Sequence, residues 1–215
     1  MNTCYIVCAL YTKLDFIPDE SDLVIAADKG YLTLVENNIR TDAVIGDFDS
    51  YTGKIECENI VTYPKEKDDT DSALAIEYAV SEGYKKICVY GAIGGMIDHT
   101  LANVALIAKY TGMGIKINFI YGETVIFGLC NSSVRFDKRA EGRISVFSFC
   151  DISYGVSETG LYYSLDKAEL KNTVPLGVSN EFVGKESEIS VEKGTLIIIT
   201  SKKNYECFSD FSDNA

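Results

Sequence analysis

Up to Gly122 the chain alternates short apolar runs with segments of helical period, and beyond it only strand-like runs remain. Residues 3–10, 22–27, 43–46, 86–90 and 115–120 read as strands, and residues 59–62 precede a polar loop. Residues 30–37, 71–82 and 99–110 read as helices. In 71–82 the apolar face is Ala73, Leu74, Ile76, Ala79 and Val80, and in 99–110 it is Leu101, Val104, Ala105 and Ala108. Strand–helix alternation of this kind predicts a mostly parallel sheet with flanking helices. In the second half, residues 143–149, 160–165, 188–191 and 195–200 read as short strands, with Glu192-Lys193-Gly194 as a hairpin turn between the last two. No helical period occurs there, which predicts an antiparallel β-sandwich. The polar C-terminal residues are expected to fray. The expectation is an α/β chain of two domains, 1–124 with a Rossmann-like sheet and 125–215 with a sandwich. A short connection near 122–130 would join them.

Charge and composition narrow the function. The 215 residues carry 32 Asp+Glu against 20 Lys+Arg, a net charge of −12, while 47% of them are hydrophobic. That apolar share excludes a disordered chain. The acidic balance argues against nucleic acid as a partner, because such binders need a basic face. No apolar run reaches the roughly 18 residues a membrane span needs, and no leader-like pattern opens the chain. A cytoplasmic protein with no membrane partner is expected. The one histidine, His99, excludes two-His zinc and iron sites within one chain. Seven cysteines, odd in number and without a C-x-x-C, read as buried free thiols of a reducing compartment.

Asp residues gather at the predicted carboxyl ends of the first-domain strands. Asp28 follows residues 22–27, Asp47 and Asp49 follow 43–46, and Asp68, Asp69 and Asp71 precede a helix. Asp98 opens the next helix, after Gly91-Ala92-Ile93-Gly94-Gly95. Ligands of open α/β sheets bind beyond strand carboxyl ends. Carboxylates converging there repel one another unless a divalent cation lies between them, and oxygen donors suit Mg²⁺. Each Asp taken alone is equally at home as a turn residue or helix cap. The glycine run would let backbone N–H groups approach phosphates, and Lys65 and Lys67 stand beside the acidic loop. Neither a Walker A motif nor an EF-hand is present: no Gly-Lys is followed by Ser or Thr, and Tyr51 and Thr52 break the calcium loop. His99 and Asn103 lie one helical turn apart on a shared face, with His99 in a supporting role.

Together these segments resemble the bacterial thiamine pyrophosphokinase family. They are Asp28 in Ala-Ala-Asp-Lys-Gly, Gly46-Asp47-Phe48-Asp49-Ser50, Glu66-Lys67-Asp68-Asp69-Thr70-Asp71 and Gly94-Gly95-Met96-Ile97-Asp98-His99. Leu176-Gly177-Val178-Ser179-Asn180-Glu181-Phe182 looks like its thiamine-side motif, so the resemblance spans the chain with its motifs in order. It implies transfer of an intact pyrophosphoryl group from ATP to thiamine, giving thiamine diphosphate and AMP. It also implies a homodimer with sites shared between subunits. By motif, Asp47, Asp49 and Asp71 would hold Mg²⁺ and the phosphates. Asp28, Lys67, Asp68, Thr70, Gly94 and Gly95 would line the nucleotide region, and Ser179 and Asn180 would contact thiamine. Asp71 or Asp98 would accept the hydroxyl proton. Met96 departs from the family's usual Gly-Gly-Arg and removes a fixed cation near the phosphates. Two other classes fit parts of the pattern. An aspartyl-phosphate phosphatase would use Asp47-Phe48-Asp49, although Ser50-Tyr51 follows where Gly-Thr is expected. A non-catalytic thiamine or nucleotide sensor would tolerate Met96.

Overall fold

The structure is a computed structural model that describes residues 2–10, 12–46, 55–62, 70–205 and 207–213. Packing divides the chain into two units, Met1–Leu106 with Ile115–Gly122, and Ile107–Gly114 with Glu123–Ala215.

The first unit contains β1 (Cys4–Val7), β2 (Leu23–Ala27), α1 (Gly30–Glu36), β3 (Ala43–Gly46), β4 (Ile60–Thr62), α2 (Asp71–Ser81), β5 (Lys86–Tyr90), most of α3 (Ile97–Gly112) and β6 (Lys116–Tyr121). Its strands run in the order β6-β5-β1-β2-β3-β4, and every pair is parallel. β2, β3 and β5 are apolar at almost every position because helices cover the sheet. α1 packs on β1 and β2, and α2 on β1, β2 and β3. α2 starts where Thr70 caps it: Thr70 is extended, and its Oγ1 accepts the Ala73 N–H at 3.2 Å. Ala73, Leu74, Ile76 and Ala79 are buried, as their spacing predicts. α3 differs from its prediction. Leu101 and Ala105 face outward, and the buried positions are Asn103, Ile107 and Tyr110.

The second unit contains β7 (Thr124–Cys130), β8 (Ser132–Phe136), β9 (Arg143–Ser148), β10 (Ile152–Thr159), β11 (Leu165–Lys171), β12 (Gly177–Glu181), β13 (Ser187–Ser190), β14 (Thr195–Ser201), α4 (Lys202–Tyr205) and β15 (Phe208–Asp213). They form two antiparallel layers, β12-β9-β14-β7 and β11-β10-β13-β8-β15. The layers meet at Phe127 against Phe208, with ring centroids 5.1 Å apart, and at Phe136 against Phe182, also 5.1 Å.

Several expectations need correction here. Of the expected strand 160–165, residues 160–164 are a connection and only Leu165 is in a strand, as the start of β11: Gly160 turns at φ +71°, and Leu161 makes one isolated bridge, to Phe182. Glu192-Lys193-Gly194 is no hairpin, because β13 and β14 lie in different layers. The crossing is tied down by a Tyr154–Lys193 bridge and by the Gly194 N–H, which donates to Asn131 Oδ1 at 2.8 Å. Residues 124–130, expected as a linker, form β7, which pairs with β14 along its whole length. Near the C-terminus α4 interrupts the all-strand pattern, and residues 208–213 pair with β8 as β15.

Candidate functional site: a cleft at the reversal of strand order

From β1 the chain builds outward through β2, β3 and β4, then returns to place β5 on the other side of β1. At such a reversal the connections leave β1 and β5 in opposite directions and open a crevice beyond their carboxyl ends. A cleft of about 450 Å³ occupies that place. Cys8, Ala9 and Leu10 line it after β1, Ala27 and Asp28 at the end of β2, and Gly91, Ala92, Gly94 and Met96 after β5. Thr70, Asp71 and Ser72 at the start of α2, with His99 and Asn103 of α3, complete the lining.

Local geometry fixes these groups. Asp28 stands at φ +49°, and its N–H donates to Ile45 O at 2.8 Å. Gly91 turns the chain at φ +68°, and a Cβ there would fall 2.4 Å from Leu10 O and 2.8 Å from Cys8 O. Only a bare Cα lets the segments after β1 and β5 approach so closely. A directed line of hydrogen bonds runs under the cleft. Ser72 Oγ donates to Asn103 Oδ1 at 2.7 Å, so its 2.9 Å contact with Thr70 takes the Thr70 proton. Thr70 in turn accepts from Ala73, and Asn103 Nδ2 donates to Ala92 O at 2.6 Å. The α2 cap, α3 and the glycine loop are thereby joined.

Asp28 and Asp71 supply carboxylates, and His99 is the one basic side chain among the described lining residues. The Cys8 thiol is pushed up to about 12, by burial first and by the Asp71 charge second. It stays protonated at neutral pH and offers no thiolate. Ala9, Leu10, Ala27, Ala92 and Met96 give one apolar wall.

The cleft thus gathers Asp28, Thr70, Asp71 and Gly94 from the predicted set. Gly95 is not in the lining, and its Cα faces Leu10. Asp98 is exposed in the first turn of α3, where its Oδ1 accepts the His99 N–H at 2.9 Å, and it does not line the cleft. Asp47, Asp49, Lys67 and Asp68 lie outside the described residues. In the second unit, Ser179 is exposed at φ +59°, where the register of β12 against β9 breaks, and its N–H donates to Ser145 Oγ at 3.0 Å. Asn180 is buried, with its amide fully hydrogen-bonded inside the protein. Sequence reasoning missed Cys8–Leu10 and Ser72. The strand-end argument that selected the Asp residues, applied to the first strand, would have found the former.

A parallel sheet with an oxygen-lined cleft at its reversal defines the class: an α/β protein that binds a small ligand beyond its strand ends. The chain matches the thiamin pyrophosphokinase catalytic domain over residues 15–119 and the thiamin pyrophosphokinase vitamin B1 binding domain over residues 131–196. A curated thiamine pyrophosphokinase of Bacillus subtilis is 33% identical over 190 residues, which is 85% of this chain and 89% of that protein. The chain belongs to the thiamin pyrophosphokinase family, whose reaction moves the pyrophosphoryl group of ATP onto thiamine. The solved thiamine pyrophosphokinase of Bacillus subtilis superposes with a TM-score of 0.81 at 29% identity, covering 93% of this chain and 98% of that one. That of Geobacillus thermodenitrificans gives 0.79 at 26% identity, covering 95% and 99%.

Proposed function

We propose that this chain transfers the pyrophosphoryl group of ATP to the hydroxyl of thiamine, with ATP and Mg²⁺ in the cleft of domain 1–124 and thiamine against domain 125–215. The observation that carries the reading is the cleft at the β1/β5 reversal, flanked by the start of α2 and by the glycine loop. Helix N-termini and bare backbone suit phosphates, while Asp28 and Asp71 repel them. A polyphosphate therefore needs a cation there. The donor set suits a hard one, because carboxylate oxygens are present and the Cys8 thiol is held protonated. Among the described residues no group of three or more His, Cys, Asp or Glu is arranged to hold a metal. Asp47 and Asp49 would complete the set with Asp71. Mg²⁺, when bound, supplies neutralisation of the phosphate oxygens and of the charge developing on departing AMP.

The chain's own residues do the rest. The α2 start and the Gly91–Gly94 backbone orient the phosphates, with Asp28, Thr70, Lys67 and Asp68 beside them, and the apolar wall takes the base. Asp71 or Asp98 accepts the hydroxyl proton; Asp71 lines the cleft, which favours it, and Asp98 does not. Ser179 contacts thiamine from the second unit, and Asn180, whose amide is taken up inside the protein, holds the strand beneath it. A second copy of the chain covers the outward apolar face of α3, where Ile97 is 78% and Leu101 65% exposed, giving the homodimer with shared sites. Among the described residues no cysteine forms a disulfide, and no helix is long and apolar enough to cross a membrane.

The test mixes protein, Mg·ATP and thiamine and identifies the nucleotide formed. AMP with thiamine diphosphate is expected, and ADP would refute pyrophosphoryl transfer. A burst of phosphoenzyme would favour the aspartyl-phosphate phosphatase, and binding without turnover the sensor. Asp49→Asn and Asp71→Asn should fold normally and cut turnover at least about a hundredfold. Near-normal turnover in both would dismiss the metal assignment.

A further inference from the structure

Within the sandwich one carboxyl is buried without a cation. Glu158, near the end of β10, is 1% exposed, and it is the only acidic side chain in the buried set of the described residues. Its Oε2 accepts a hydrogen bond from Asn180 Nδ2 at 2.7 Å, while its Oε1 has no hydrogen-bond partner. Burial raises its pKa, and the Asn180 N–H offsets this in part. Such a group costs stability unless it is fully satisfied. Local rules are broken in this way mainly where position matters to function. β12 makes room for the carboxyl: a Cβ at Gly177 would stand 3.3 Å from Glu158 Oε1 and 2.4 Å from Val146 O.

What the carboxyl holds is the Asn180 amide. Nδ2 donates to Glu158 and, at 2.7 Å, to Tyr163 O; Oδ1 accepts from Tyr163 N at 3.0 Å and Glu181 N at 2.9 Å. The amide replaces a strand partner for Tyr163 on both its backbone groups. Tyr162 is held as well, since its N–H donates to Glu181 O at 2.9 Å, and its ring meets that of Tyr163 edge-on at 4.9 Å. Turned over, the amide would set its oxygen against both Glu158 and Tyr163 O. An acceptor at position 158 takes the second Nδ2 hydrogen and so reinforces the orientation that Tyr163 and Glu181 also favour.

We propose that Glu158 is a positioning residue for thiamine, acting through Asn180 to fix the β12 bulge that presents Ser179 and the neighbouring Tyr162–Tyr163 pair to the substrate. This rests on the reading that β12 faces thiamine. Glu158 lies beneath the strand and acts on the substrate only through its neighbours.

Steady-state AMP formation, with thiamine and ATP varied separately on the full-length protein, tests this. Glu158→Gln keeps an acceptor of the same shape and should hold the thiamine KM within about twofold. Glu158→Met has similar length and no acceptor for Asn180. It should raise the thiamine KM about tenfold or more and leave the ATP KM and far-UV circular dichroism as they are. A purely structural role would move the melting temperature and not the thiamine KM. A folded Glu158→Met enzyme with thiamine KM within about twofold of the parent overturns the proposal. Ser179→Ala, run alongside, shows what falls. If it shifts the thiamine KM, only the role of Glu158 is lost; if it does not, the reading of β12 goes too. Should the Met variant not fold, Glu158→Thr, whose hydroxyl is too short to reach Asn180, carries the same two expectations.

Discussion

Asn103→Ala cuts the hydrogen-bond line beneath the cleft at its middle. The amide is buried, donating to Ala92 O at 2.6 Å and accepting from Ser72 Oγ at 2.7 Å. Ser72 keeps its contact with Thr70 at 2.9 Å, so its hydroxyl is not stranded. The Ala92 carbonyl loses this partner in a buried place. An acceptor left so costs about 1–3 kcal/mol, and the lost Ser72 bond about 1 kcal/mol. Alanine's better helix propensity returns roughly half a kcal/mol. The net loss is about 1.5–3.5 kcal/mol, which for a chain of this size lowers Tm by about 3–14 °C. Ellipticity at 222 nm against temperature measures it. Because Ser72 and Ala92 line the cleft, the ATP KM should rise as well while the thiamine KM stays put. Asn103→Asp is the sharper control. It still accepts from Ser72 but opposes its charge to Ala92 O, so its deficit should be larger at neutral pH and shrink as acid protonates it. A Tm within about 2 °C of the parent for Asn103→Ala would show that these bonds do not hold the cleft together.

Three further outcomes are expected. Gly91→Ala forces a Cβ at φ +68° to within 2.4 Å of Leu10 O; it should cost several kcal/mol, about 3 or more, and little folded protein should survive expression at 37 °C. Native protein labelled with iodoacetamide at pH 7.5 should react at the half-buried Cys57, Cys130 and Cys150 well before Cys8, whose thiol is buried and pushed up to about 12; rapid labelling of Cys8, mapped by peptide mass, would contradict this. Glu158 has a raised folded pKa, so the native state binds more protons than the unfolded one above the ordinary carboxylate range, and stability falls as pH rises through that window. Glu158→Gln lacks this titration and should gain on the parent as pH rises from acid to neutral, read by urea melts; a pH-independent difference would refute the assignment.

The α/β half was legible because its strands are buried on both faces and its helices repeat at helical spacing, so β3 and β5 match the predicted 43–46 and 86–90. α3 shows where periodicity misleads. Its core-facing positions include a polar residue, Asn103, whose burial is compensated by hydrogen bonds that no apolar count detects, while Leu101 points outward. The sandwich was harder to read. β11 (Leu-Asp-Lys-Ala-Glu-Leu-Lys) is a polar edge strand, and β13 and β14 look like hairpin neighbours although their partners lie far along the chain. The strand-end argument led to Asp28 and Asp71 of the cleft lining, because α/β topology brings strand ends together whatever the sequence between them. Glu158 was not, since nothing local marks a carboxyl as buried.

The backbone at Ser179 has a consequence for substitution. At φ +59° a side chain branched at Cβ is heavily strained, whereas glycine, asparagine and aspartate adopt this geometry readily. Threonine, the usual stand-in for serine's hydroxyl, is thus the exchange this position tolerates badly. Asparagine and glycine, which discard the hydroxyl, keep the bulge. A saturation scan at residue 179 would therefore rank variants by backbone before chemistry, and only among those that keep the bulge would the worth of the hydroxyl to the substrate become visible.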